Sequence, residues 1–315
     1  MSHRNVLLFC FKLLVTAGSL WWLSRYVDLE AIYVSLDGFT VPVILAGIVL
    51  HVSSYLVGGV RWWMLFRHLV AGPVSFGQVL PSYYLGVFFN NILPSAYGGD
   101  VARSARLFVS GMSGSALVGS ALVDRLLGLA AVVSLGGLAL LFTDFQVIGA
   151  HTRTVFLAGA ATLLFALGVV LFFDWSGVID SRYGHRWPRL SSVLSCFSAY
   201  RRSPWLIVQG YLLSLLNQLL VLLVYVLLAR EVGITVPVTQ LVAILMLVFL
   251  IASLPISLGG LGPREGALMT LLLLLGVEPA AILALSIAYL LVLWASALPG
   301  LFMLFVQGKQ ASKNA

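Results

Sequence analysis

Apolar residues along this chain run in blocks long enough to cross a bilayer, separated by short polar segments. A hydrocarbon core of roughly 30 Å takes about 20 helical residues. Six stretches meet that length: 6–24, 41–66, 114–142, 154–173, 205–229 and 281–306. The first ends in Trp21 and Trp22 without a small-residue cleavage pattern, so it reads as a retained span with interfacial tryptophans. Two further apolar regions are interrupted: 78–110 is broken from Leu93 to Asp100, and 238–276 from Leu254 to Pro263. The flanks of each break are half-spans, so each region is expected to form a re-entrant helical hairpin.

The two breaks correspond at an offset of 161 residues, which pairs Leu93 with Leu254, Pro94 with Pro255, Gly98 with Gly259, Gly99 with Gly260 and Arg103 with Arg264. Val87-Phe88 falls on Val248-Phe249, Leu107 falls on Leu268, and the flanking spans come into register as well. An internal repeat follows, with halves of about 41–142 and 202–306 in a single transmembrane domain spanning 1–315. Duplicated halves of this kind are common in transporters.

Composition removes the soluble alternatives. Hydrophobic residues make up 61% of the chain without its 30 glycines, and charged residues only 9%, where about 25% is usual in soluble domains. The net charge of +7 therefore reports loop placement and not a nucleic-acid partner. With the N-terminus inside, the inner loops hold Arg4, Arg67, Arg182, Arg186, Arg189, Arg201, Arg202, Lys309 and Lys313, while the outer loops hold Arg25, Arg153 and Arg230. That bias places both termini in the cytoplasm and requires each hairpin to return to the side it entered from, the first inside and the second outside. Eight full crossings would instead put the basic loop 174–204 outside. The expected fold is an all-α integral membrane protein of six spanning helices plus two oppositely oriented re-entrant hairpins in an inverted repeat. Its place is the cell (inner) membrane.

Irregular backbone at membrane depth is tolerated only where protein or water satisfies it, so Gly98, Gly99, Gly259 and Gly260 point to a polar cavity between the hairpins. Asp100 is expected to cap the second half-helix of the first hairpin, and Pro263 to open that of the second. Arg103 and Arg264 then fall in the first turns, and Arg106 shares a face with Arg103. An arginine at membrane depth costs about 2.5–3.5 kcal/mol on insertion scales, so it needs a partner or a task. Either Asp100 and Glu265 neutralise Arg103 and Arg264 as structural pairs, or the two guanidiniums form a fork-shaped site for a phosphate or carboxylate. Asp124 and Arg125 are a mutually compensated pair or line the same cavity. Arg61 is expected to snorkel toward the inner surface, His51 to be a packed core histidine, and Asn90, Asn91, Asn217 and Gln218 to bond between helices. Cys196 falls in the basic loop, and no disulfide with Cys10 is expected.

No zinc-type His-Glu-x-x-His, Cys-x-x-Cys, phosphate-loop lysine or Gly-x-Ser-x-Gly motif is present, so no catalytic residue, metal or cofactor is expected. The pattern Gly98-Gly99-Asp100-Val101-x-Arg103, with Pro255-x-x-x-Gly259-Gly260-x-Gly262-x-Arg264-Glu265-Gly266, resembles the lysylphosphatidylglycerol synthase transmembrane family, also called the flippase-like domain family, over residues 5–305. The resemblance implies a membrane domain that moves lipid between leaflets. In the multiple peptide resistance proteins this region moves aminoacylated phospholipid, while a separate soluble domain transfers the amino acid from aminoacyl-tRNA. The sequence to Ala315 carries no such soluble domain, so lysyl transfer is not expected. The implied partner is a membrane phospholipid or a polyprenyl-linked lipid, with a separately encoded transferase and a second copy of the chain as further candidates. Two alternatives stand beside translocation: a membrane-embedded enzyme using Asp100, Asp124 or Glu265 as acid or base, and an accessory subunit that positions a transferase through the 174–204 loop.

Overall fold

The computed structural model describes residues 38–92, 98–143, 149–175, 187–253 and 262–311, with Gly177 and isolated positions from 18 to 36. At 92, 149–152, 189 and 304–311 it describes the backbone alone. These residues form ten helices and, among them, no strand: α1 Val41–His68, α2 Phe76–Ile92, α3 Gly98–Val109, α4 Gly114–Leu141, α5 Gly149–Phe172, α6 Pro188–Arg201, α7 Pro204–Glu231, α8 Val238–Ser253, α9 Pro263–Leu273 and α10 Pro279–Ala311. Four of them begin on a proline, whose fixed φ suits a first turn and whose missing N–H would be unpaired there anyway. Gly111 and Gly276 close α3 and α9 at φ of +87° and +75°. They let Met112 N and Val277 N reach back to the carbonyls of Leu107 and Leu272 at 3.1 and 3.2 Å.

Five helices are long and apolar enough to cross a membrane: Val41–His68, Gly114–Leu141, Arg153–Phe172, Pro204–Glu231 and Pro279–Met303. They coincide with five of the six spans expected from the sequence. The sixth, 6–24, lies outside the described residues apart from Gly18 and Trp21, as do the breaks at 93–97 and 254–261 with Gly259 and Gly260. The basic segment 174–204, expected as a loop, instead carries α6, which packs against α4, α5 and α7. Cys196, Phe197 and Tyr200 of α6 are buried, because a helix of mixed polarity can turn an apolar side inward that a composition-based reading averages away. Arg182 and Arg186 fall outside the described residues, and of Arg189 only the backbone is described.

The order long, short, short, long occurs twice, as α1–α4 and as α7–α10. The short helices hold 17, 12, 16 and 11 residues, and each short pair packs on itself. In the first pair the backbones nearly touch: a Cβ on Gly86 would stand 2.8 Å from the carbonyl oxygen of Gly99, and one on Gly99 would run into that of Gly86. Among the described positions that matched at the sequence offset, Val87, Leu107, Val248 and Leu268 are all buried.

The halves interlock reciprocally. α2 packs on α10 and α8 on α4, each at a glycine of the long helix. A Cβ on Gly300 would collide with the Tyr84 carbonyl, and one on Gly136 would lie 2.9 Å from Met246 Cβ. α1 and α7 form the central seam and run antiparallel. At one end Thr40 N donates to Glu231 Oε1 at 3.1 Å; at the other Tyr200, just before α7, donates its hydroxyl to Leu65 O at 2.9 Å. Asn217 of α7 also donates to Ser54 O of α1 at 2.6 Å, an inter-helix bond of the kind expected for it.

Candidate functional site: two buried arginine centres

Three helices of the first half bring five charged side chains together. Asp124, eleven residues into α4, accepts from Arg61 Nε of α1 at 2.6 Å and from Arg103 Nη2 of α3 at 3.2 Å. Arg103 Nη2 also meets Asp100 at 2.8 Å, and the other oxygen of Asp100 accepts from Arg125 Nε. Arg61 Nη1 donates to Ser214 of α7 at 2.8 Å, tying the cluster to the other half. The guanidinium of Arg103 lies over Trp62 at 4.3 Å and near Tyr83 at 5.5 Å, where the ring quadrupole attracts a cation. Arg61, Arg103 and Asp124 are 8%, 4% and 4% exposed.

Several expectations change here. Arg61 does not snorkel: it lies seven residues before the end of α1, about 10 Å in at 1.5 Å per residue, too deep for its stem to span when a carboxylate lies beside it. Asp124 and Arg125 do not compensate each other, because neighbours on a helix point about 100° apart; each finds its partner on another helix. Asp100 lies within the first turn of α3 and not at the cap, since the helix already starts at Gly98, and Arg103 is consequently in the second turn. Asp100 does pair with Arg103, which was one of the two arrangements the sequence left open.

The second centre is smaller. Arg264, at the start of α9, pairs with Glu265, whose other oxygen accepts from Gly262 N at 2.8 Å. Pro263 opens this helix and Gly262, at φ +88°, caps it. Arg264 lies 5.2 Å from the ring of Tyr289, which stacks on Tyr225 at 4.0 Å and meets His51 Nε2 through its hydroxyl at 3.1 Å. His51 is a buried core histidine, as its sequence context suggested, and Tyr55 continues the aromatic chain from it to Tyr84.

Gly98 and Gly99 are buried in the first turn of α3, and Gly99 N donates to Asn90 Oδ1 at 2.9 Å. Arg106 is part-buried one turn beyond Arg103. Arg103 Nε, Asn91 Nδ2 and His51 Nδ1 are buried and have no partner among the described residues. The roles of Arg61, Ser214, Trp62 and Tyr289 escape a reading of the sequence. The signal available was Asp124, a carboxylate deep in an apolar run that must have a cation across from it.

A bundle with five helices of membrane-crossing length and charged groups paired in its interior defines a multi-pass helical membrane protein. Within that class, the chain belongs to the family described as the lysylphosphatidylglycerol synthase TM region, whose match covers residues 9–300. No curated protein matches it closely enough to add to this assignment.

Proposed function

We propose that the protein moves a lipid with an anionic head group between leaflets of the cell (inner) membrane, with both termini cytoplasmic. The observation that carries this reading is the first centre itself, where, among the described residues, three arginines gather round two aspartates inside the bundle. Guanidiniums at membrane depth are rare without a partner or a task, and a lipid phosphate meets the guanidinium fork. Arg103 and Arg264 contact the phosphate, with Arg106 and Arg125 beside the first; Asp100, Asp124 and Glu265 hold the forks in place. Gly99 lets α3 come close to α2, and Gly98, with Gly259 and Gly260 of the matching motif, belongs to the same site. Acyl or polyprenyl tails remain in the bilayer.

The short helices are half-spans of re-entrant hairpins, since even 17 residues rise only about 25 Å. The halves form an inverted repeat, a reading supported by the antiparallel course of α1 and α7, and rocking of one half against the other alternates exposure of the site. Acid–base chemistry by Asp100, Asp124 or Glu265 would first require each to leave an arginine, so the enzymatic alternative is the weaker one.

Reconstitution into vesicles with fluorescent lipids tests the proposal. Translocation of an anionic phospholipid should exceed that in protein-free vesicles and should fall sharply in Arg103→Ala. No acceleration for any anionic lipid, phospholipid or polyprenyl-linked, would end it.

A further inference from the structure

Beside the first arginine centre, a groove of about 410 Å³ runs between α3 and α4. Its walls are apolar, built by Val101, Ala105 and Phe108 of α3 and by Val118 and Leu122 of α4. Asp100 and Arg125 also line it, and their ion pair fixes the charge at one place. The helices are antiparallel neighbours joined by a tight turn: Phe108 and Gly114 adjoin at the turn, and Asp100 and Arg125 adjoin at the opposite end. The groove is therefore polarised along its length, charged at the depth of Arg125 and apolar toward the turn.

Arg125 is the most accessible member of the network, its side chain 33% exposed against 5% for Arg103. The outer rim of the groove, with Val101, Phe108 and Leu122, is exposed on the apolar surface of the bundle. A water-soluble anion has no use for such walls, and a neutral lipid has no use for the guanidinium. Both are used by one molecule that carries a phosphate and a hydrocarbon chain.

The geometry points to a binding site for a single anionic phospholipid, its phosphate on Arg125 and one acyl chain lying along the α3–α4 groove toward the turn. The inference deepens the translocation reading and rests on it: the groove is the lateral portal through which the chain trails while the head group occupies the arginine centre. It also fixes the direction of the chain. With the start of α4 at Gly114 taken as the membrane surface, Arg125 lies about 17 Å further in, at 1.5 Å per residue. A bound lipid thus has its head deep and its chain end near the turn, the reverse of an ordinary lipid of that leaflet.

Photo-crosslinking in vesicles tests this with phosphatidylglycerol probes carrying a diazirine either near the glycerol or at the chain end. The proximal probe should label Val101 and Leu122, and the terminal probe should label around Phe108. A phosphatidylcholine probe with the same chains should label several-fold less. Arg125→Gln, which leaves Asp100 paired with Arg103, should abolish that preference, and Arg125→Lys should retain part of it. Ala105→Phe, at an exposed position, should fill the groove and remove the labelling. Equal labelling by both head groups, or the opposite order along the groove, marks ordinary surrounding lipid and overturns the site. Flipping is measured separately on the same vesicles. Selective, ordered labelling without flipping retains the site and ends the translocation reading, whereas flipping undiminished by Ala105→Phe ends the site and retains that reading.

Discussion

The two halves set an arginine at matching places, Arg103 on α3 and Arg264 on α9, and then surround it differently. At the offset of 161, Arg61, Asp124 and Arg125 fall on Leu222, Leu285 and Ser286. Leu222 and Leu285 are buried in the largest apolar cluster, where the first half buries ions. The same arrangement of helices thus tolerates either interior. What the halves share is the arginine, and what separates them is how many carboxylates hold it among the described residues. The first arginine is one of three sharing two aspartates; the second depends on Glu265 alone among the described residues. Burial of ions is not needed for the architecture, which argues that the first centre serves something other than folding.

The largest expected effect comes from removing the carboxylate that the second half lacks. Asp124→Ala leaves Arg61 with Ser214 and Arg103 with Asp100, and should cost about 3–5 kcal/mol, the usual penalty for breaking a buried pair. Thermal melting in detergent measures it. Copying the second half, with Arg61→Leu and Asp124→Leu together, should recover most of that loss, and a double variant as unstable as Asp124→Ala would refute the equivalence of the two interiors.

Next in size is a contrast between the arginines themselves. Arg264→Ala strands Glu265 with the Gly262 amide, whereas Arg103→Ala leaves Asp100 with Arg125 and Asp124 with Arg61. Arg264→Ala should therefore melt lower than Arg103→Ala, by roughly 2 kcal/mol of stability, although both should cripple translocation. Arg264→Gln with Glu265→Gln should regain the stability but not the activity. Lysine at either position should rescue in part, since it retains the charge without the planar fork. Equal melting of the two alanine variants would mean that the pairing pattern does not set stability.

A smaller effect is expected at the helix contact. Gly99→Ala drives a Cβ into Gly86 and Asn90, and overpacking of this kind costs about 1–3 kcal/mol. In the second half Leu247 stands at the position of Gly86, so Leu247→Ala should not open α8 from α9 in the way Gly99→Ala opens α2 from α3. Cysteines placed across each pair would report the difference by crosslinking yield.

The smallest effect concerns α6, which joins the halves. Burial pushes the Cys196 thiol up from its usual range, so less thiolate is present at any given pH. With Cys10 replaced by serine, alkylation at pH 7 should be slow and should gain more from a rise in pH than a free thiol does. Rapid alkylation at neutral pH would mean that α6 leaves its berth on α4.

The helical plan was legible because length and hydropathy act locally. Each of the five membrane-length helices begins and ends near where the apolar run does, with proline at the start of α1, α7 and α10 and Gly233 just after α7 as punctuation. The local pairs of Asp100 with Arg103 and Glu265 with Arg264 were candidates from the sequence, but the partners of Asp124 were not legible, since it selects among arginines by three-dimensional distance. Arg125 is adjacent in sequence yet turned away, while Arg61, 63 residues upstream, lies 2.6 Å off. α6 was missed for a related reason: its basic residues dominate the composition, while Cys196, Phe197 and Tyr200, spaced to share one side, supply the docking.

The excess of arginines over aspartates among the described residues of the first centre also bears on bioenergetics. A charge displaced through the membrane potential gains or loses about 2.3 kcal/mol per 100 mV. Counted over its five described side chains the centre carries one positive charge, so loaded with a monoanionic lipid it would present no net charge to that field and would switch orientation with little voltage dependence. Unloaded, or loaded with a dianionic head group, the same centre would be pushed in opposite senses. Flipping rates under an imposed potassium diffusion potential separate these cases. A flat voltage response for a monoanionic lipid, beside a steep one for a dianionic lipid, would identify the charge count of the five side chains as the device that renders the potential irrelevant to the intended cargo.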